Sequence, residues 1–331
     1  MSISENPIAI DAQSLVSEAY ALLLKCCSES GADPVILAEM RRVLNKVEAD
    51  ENPSVSATML PLVACAATGG NPRNALPVGA AFQALTISSK LLDDVVDGDV
   101  QRVGAPDAIP RAINTAMAFW GTALLALWRL PGPVYLEVAP NFDKGVVCVA
   151  GAQQREFALY DRESLEVALE TAIQKLGWGF QLAACSGARC GTSERRVIDA
   201  IGEWGLCCGV IIQLLDDTEG FWEAGAGGDL ALSGSQRKLP VLYALAVATP
   251  EERVRLEDLL DNVNDDAGAE KAARQLMADM GASDYMLAEI ANYRRRARRA
   301  LDAVGLEQNG RAMLDGWLAA LQPALLGDCD Q

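Results

Sequence analysis

Histidine is absent from all 331 residues. That absence excludes Ser-His and Cys-His nucleophilic catalysis, His-ligated zinc, and the side chain most often used as a near-neutral general base. Basic residues are scarce too. The 28 Lys and Arg stand against 45 Asp and Glu, a formal net charge of −17, which argues against a nucleic-acid partner. An anionic substrate would need metal ions or a local cluster of basic residues to be held. Aromatics make up only 5%, while half the residues are hydrophobic, a mix suited to close-packed helices. No uncharged apolar run reaches the ~18 residues expected of a membrane span. Met1 to Pro7 lacks a basic segment followed by a long apolar one, so no secretory signal is read there. The expectation is a soluble, cytoplasmic protein without an integral membrane segment. The nine Cys form no CxxC pair and lie mostly in apolar stretches, which fits buried free thiols in a reducing compartment better than a disulfide framework.

No strand-like alternation, fixed-period repeat or low-complexity segment stands out. Apolar residues instead recur at helical spacing over 8–30, 34–49, 56–68, 74–97, 108–129, 134–159 and 163–187. Thr192 or Ser193 caps a further helix running to about Asp217, and others follow over 238–248, from Thr249-Pro250, and over 267–280, 283–305 and 310–326. The predicted architecture is a single all-α domain, 1–331, a helical bundle around a central cavity. The basic run Arg294 to Arg299 reads as a solvated helix face.

Two acidic helix ends carry chemistry. In the first, Asp93, Asp94 and Asp97 follow the apolar run Val78 to Lys90. Residues one and four apart lie on neighbouring parts of a helix surface, so three carboxylates meet near one point. At ~4 Å and an effective dielectric of ~20, each like-charge pair costs about 4 kcal/mol. Hard divalent cations with oxygen ligands relieve that cost. A solvated acidic helix end is the competing reading, and the flanking Leu, Val and Ile favour the metal. The second end, about 213–219, repeats the logic: Gln213 lies one turn before Asp216-Asp217 at the close of an apolar helix. Facing each other across a bundle, the two ends would hold several Mg²⁺ on a diphosphate. Alone, Asp216-Asp217 also reads as a plain helix-to-loop transition. Lys175, isolated in an apolar helix, suits either a phosphate contact or a snorkelling side chain. Arg102 follows the first cluster, and Arg237-Lys238 the second.

With both ends placed, the chain resembles the trans-isoprenyl diphosphate synthase superfamily over roughly residues 55–250. The DDxxD at Asp93, Asp94 and Asp97 resembles that family's first aspartate-rich motif, and Gln213 to Asp217 its second. Gly98 to Pro106 resembles its arginine loop, and Gly228 to Leu245 the tail behind the second motif. The resemblance implies a compact all-helical fold, a homodimer, and a cavity that binds an allylic prenyl diphosphate through three Mg²⁺. It assigns two of those ions to Asp93, Asp94 and Asp97, and the third to Asp216 with Asp217 or Gln213. Arg102, Lys175 and Lys238 would hold the diphosphate. Ser88 and Ser89, one turn before the cluster, would set pocket depth, and their small size suggests a farnesyl or longer chain. Trp178 and Phe180 would face an allylic cation or simply pack the core.

The departures fall on one side. Chain-elongating members carry a basic motif for isopentenyl diphosphate; the matching stretch here, Ser56-Ala57-Thr58-Met59-Leu60-Pro61, has no basic residue. The loop's second arginine is Val103, the usual His before the first motif is Leu92, and the second motif's last Asp is Gly220, beside Glu219. Each lost Arg–phosphate contact removes a charge-assisted bond. The expected reaction is therefore ionisation of an allylic diphosphate followed by cyclisation, as in terpene synthases. Three alternatives stay open: elongation with isopentenyl diphosphate, prenyl transfer to a peptide or small molecule, and a non-catalytic partner subunit.

Overall fold

In a computed structural model of the chain, the described residues are 11–50, 52–96, 100, 107–158, 164–222, 238–263 and 266–321. All regular structure among them is helical, as composition and periodicity predict. Contacts gather the chain into two compact units. The first comprises Met1–Asp143, Leu182–Gly202 and Ala303–Trp317; the second comprises Lys144–Gln181, Glu203–Asp302 and Leu318–Gln331. Each unit is assembled from separated stretches, so no single cut of the chain divides them.

The first unit opens with α1 (Ala12–Glu29), where the Asp11 side chain accepts from the Ser14 N–H at 3.1 Å and satisfies an otherwise orphaned donor. Leu15, Val16, Ala19, Tyr20, Leu23, Cys26 and Cys27 form its buried stripe, spaced as one helical face. There follow α2 (Pro34–Asp50), a 3₁₀ turn (Pro53–Val55), α3 (Met59–Ala67), α4 (Leu76–Val96), α5 (Ala108–Leu127) and α6 (Gly132–Ala158), which passes into the second unit after Asp143. Helix α4 packs along α5, and both touch α1. Helix α3 is enclosed. Leu62 Cδ1 and the Thr58 carbonyl lie 2.5 and 2.6 Å from where a Cβ on Gly79 would stand, and Gly187 meets the Pro61 backbone just as closely. Any side chain at those glycines would force helices apart, which ties the small residues of the sequence to the packing.

The second unit is built from α7 (Leu165–Ala172), a π-helical turn (Ile173–Gly177), the start of α8 (Trp178–Arg189), most of α9 (Arg195–Trp222), α10 (Leu239–Val247), α11 (Pro250–Asn262), α12 (Ala267–Asp279) and α13 (Ala282–Asp302). Helix α14 (Gln308–Ala320) ends the described chain. Thr249 and Glu252 cap α11 reciprocally, and that hydrogen bonding lowers the Glu252 pKa. Val241, Leu245, Leu256, Leu260 and Met277 form a core beside stacked Tyr243 and Tyr285, whose centroids are 4.4 Å apart.

Three expectations need correction. The predicted helix over 163–187 is split by the π turn. The helix over 56–68 starts only at Met59, after the 3₁₀ turn at Pro53–Val55. The arginine run is not simply solvated: Arg294 donates to the Leu321 carbonyl, and Arg296 pairs with Glu203 and lies 5.7 Å over the Tyr293 ring. Two helical segments, Pro72–Val96 and Arg195–Thr218, are long and apolar enough to cross a membrane, but 61% and 72% of their windows are buried within the fold, as core helices are.

Candidate functional site

Helix α4 changes character along its length. From Pro77 to Ala84, and at Ile87 and Ser88, it is buried. Its last turns emerge, with Leu92 37% and Val96 52% exposed. The apolar flanks of the first acidic cluster therefore do not bury it, contrary to the sequence expectation. Asp93 and Asp94 are half-buried there. Lys90 Nζ lies 3.4 Å from Asp94 Oδ1, a largely exposed pair one turn apart. Asp97 and Arg102 lie outside the described residues. Ser88 Oγ donates to the Ala116 carbonyl at 2.9 Å, so that hydroxyl is engaged in the packing of α4 on α5, while Ser89 is exposed.

The second acidic end is built differently. Asp216 is exposed, but Asp217 is only 6% exposed and is held from two sides. Gln213 Nε2 donates to Asp217 Oδ1 at 3.0 Å, and the Leu239 N–H donates to Asp217 Oδ2 at 3.4 Å. Leu239 is the first residue of α10, whose N-cap residue Lys238 supplies no side-chain acceptor. Asp217 takes that place, satisfying an orphan N–H and setting a negative charge at the positive end of the helix. Sequence reasoning missed this role. Its signals were a helix opening on Leu239-Pro240 without a Ser, Thr, Asp or Asn before it, and a Gln one turn ahead of the Asp.

Lys175 sits half-buried in the π turn, and Lys238 is half-buried at the start of α10. Trp178 is 37% exposed, and Phe180 is buried. Asp93, Asp94, Ser88 and Ser89 belong to the first unit; Lys175, Gln213, Asp216, Asp217 and Lys238 belong to the second. Within the second, the structure brings Gln213, Asp217 and the start of α10 together. The side chains of Glu219 and Arg237 lie outside the described residues.

Both ends offer oxygen ligands alone, the chemistry hard divalent cations take. Asp217 commits both of its carboxylate oxygens to protein donors, one to Gln213 and one to Leu239. Among the described residues no group of three or more carboxylates or thiols is placed to hold a metal. The base-free stretch Ser56 to Pro61 is buried except at Ala57. The Thr58 N–H and Oγ1 both donate to Gln83 Oε1, at 3.0 and 3.2 Å.

Residues 56–279 match the sequence model of the polyprenyl synthetase family. A short chain isoprenyl diphosphate synthase of Methanothermobacter thermautotrophicus is 27% identical over 267 residues, spanning 74% of this chain and 78% of that protein. Among solved structures, geranylgeranyl pyrophosphate synthetase of Pyrococcus horikoshii superposes with a TM-score of 0.78 at 20% identity, covering 94% of this chain and 98% of its own. Geranylgeranyl pyrophosphate synthase of Corynebacterium glutamicum, solved with calcium and isoprenyl diphosphate, gives 0.79 at 18% identity, covering 97% and 98%.

Proposed function

The chain belongs to the polyprenyl synthetase family, and on that premise we propose that it is a Mg²⁺-dependent isoprenyl diphosphate synthase that joins an allylic prenyl diphosphate to isopentenyl diphosphate. The carrying observation is the pair of oxygen-only acidic helix ends, Asp93-Asp94 and Asp216-Asp217, both within the matched span. Cyclisation, the reaction expected from the sequence, draws no support from the relatives, whose names are those of synthases. Elongation replaces it.

Asp93, Asp94 and Asp97 are the ligands for two ions, and Asp216 with Asp217 or Gln213 for a third. Magnesium, when bound, would neutralise charge on the departing diphosphate. Lys175, Lys238 and Arg102 add fixed positive charge as that group leaves, which favours the transition state over the ground state. A homodimer is part of this reading. Ile113, Met117, Trp120 and Trp128 recur along one face of α5 and are exposed, Met117 and Trp128 by about two thirds. A run of that kind marks a surface meant for burial, and a second copy of the chain is its proposed occupant.

One observation favours a second acceptor. The stretch matching the isopentenyl motif has no cation and turns its polar groups on Gln83. With no cation there, that stretch offers nothing to hold a second diphosphate, which favours an acceptor that carries none. Incubation with Mg²⁺ and geranyl, farnesyl or geranylgeranyl diphosphate, with and without isopentenyl diphosphate, decides. A longer prenyl diphosphate formed only with isopentenyl diphosphate supports elongation. Consumption of the allylic substrate that does not depend on it overturns elongation, and turnover that appears only when a peptide or small-molecule acceptor is added supports the second acceptor.

A further inference from the structure

Between α7 and α8 the helix widens for five residues, Ile173–Gly177, with Lys175 at the centre. A π turn admits one extra residue per turn, and one residue is worth roughly 100° of facing. The widening therefore decides which way Lys175 stands relative to the helices on either side. Such a turn needs an outside cause, since its hydrogen bonds are poorer than those of the α-helix.

The cause lies on α9. A Cβ at Gly209 would stand 2.5 Å from the Leu176 carbonyl oxygen, 2.9 Å from its carbon and 2.9 Å from Phe180 Cβ. Gly177, at the end of the turn, is nearly as confined: a Cβ there would lie 3.1 Å from Val210 Cγ2. Backbone meets backbone at Leu176 and Gly209, with no side chain between. Gly209 lies one turn before Gln213, which in turn donates to Asp217. All these residues belong to the second unit.

We propose that Gly209 and Gly177 are positioning residues, whose close crossing holds the π turn against α9 and so fixes the Lys175 ammonium for the diphosphate of the substrate. This rests on the reading of Lys175 as a diphosphate contact, so the test separates the two. Binding of inorganic pyrophosphate in the presence of Mg²⁺ is measured calorimetrically for the full chain and for Lys175→Ala, Gly209→Ala and the double variant, with folding followed by circular dichroism. The expected result is about tenfold weaker binding in each single variant, the loss of one charge-assisted contact, and no further loss in the double. That non-additivity is the signature of one residue acting through another. Unchanged binding in Lys175→Ala sinks the parent reading and this one with it. Weaker binding in Lys175→Ala with additive loss in the double variant, or with no loss in Gly209→Ala, overturns the positioning role alone.

If Gly209→Ala does not fold, the other side of the crossing decides. Gly177→Ala meets only the end of the Val210 side chain at short range. It is expected to weaken pyrophosphate binding about threefold, a displacement smaller than that at Gly209, and Gly177→Ala with Val210→Ala is expected to restore it. Failure of the second substitution to restore binding, or full binding by Gly177→Ala alone, rejects the crossing as the cause.

Discussion

The ends of α4 and α9 carry nearly the same signal, an apolar helix closing on adjacent aspartates, and the fold treats them oppositely. At α4 the helix leaves the core before the aspartates begin, and Asp94 pairs with a lysine on the surface. At α9 the second aspartate is drawn inside and serves as the acceptor that opens α10. The first end stands at the emerging end of its helix, and its loss should cost the fold less. The second also supports the structure, and its loss should be felt there first. An aspartate pair at a helix end does not announce a single purpose. Burial and donors supplied from elsewhere decide how much of the carboxylate is left for a ligand.

The sharpest way to break this contrast is to remove one carboxylate from each end. Asp93→Ala is expected to lower turnover of an allylic diphosphate by about 10²–10³-fold, the scale on which a preorganised charge partner contributes, with a smaller fall in melting temperature than Asp217→Ala. A thermal shift in that variant as large as in Asp217→Ala would contradict the contrast between the two ends. Asp217→Ala is expected to cost about 1–3 kcal/mol of stability, because the Leu239 N–H and the Gln213 amide lose their acceptor inside the protein. Chemical denaturation reads this directly, and Asp217→Asn, which keeps one acceptor, should recover part of the loss. A fully stable Asp217→Ala would erase the difference between the two ends.

Alkali sharpens the contrast from another side. Burial pushes the Cys207 thiol, on α9, up to about 12 from an ordinary value of 9.0. Below pH 9 native and unfolded chains both keep that proton. Between pH 9 and about 12 the unfolded chain has released it and the native chain has not, so stability falls as pH rises. Cys65 follows the same course, and Cys190 does so up to about 11. Cys207→Ala should therefore flatten the decline of stability above pH 9 in urea titrations, with Asp93→Ala leaving it untouched. The smallest effect belongs to Lys90→Ala. An exposed pair one helical turn apart contributes about 0.3–0.5 kcal/mol, so neither stability nor melting should move measurably.

The helices were legible because each buries a stripe at i, i+3 and i+4 and many open on a capping residue, as α1 does at Asp11 and α11 at Thr249. The π turn was not, because no local pattern encodes it. Its cause is a glycine more than thirty positions further on, and only the crossing of two helices brings Gly209 to Leu176. The candidate site divides in the same way. Spacing alone identified Asp93, Asp94 and the Gln213 to Asp217 turn, since a helix fixes which residues are neighbours. The capping of α10 by Asp217 depends on where a distant segment returns, and nothing at position 217 states that. Ser88 shows the same limit, for whether a small hydroxyl lines a pocket or bonds a neighbouring helix depends on what lies opposite, here Ala116.

The carbonyl of Ala67, at the end of α3, is covered by Gly310 of α14, so close that a side chain there would have no room. Ribosomes release about 5–20 residues per second, and that lid therefore emerges on the order of tens of seconds after the helix it closes. Through that interval the last carbonyls of α3 wait for a partner still being translated. Truncation before residue 310 is therefore expected to leave the end of α3 uncovered and to lower the melting temperature of what remains.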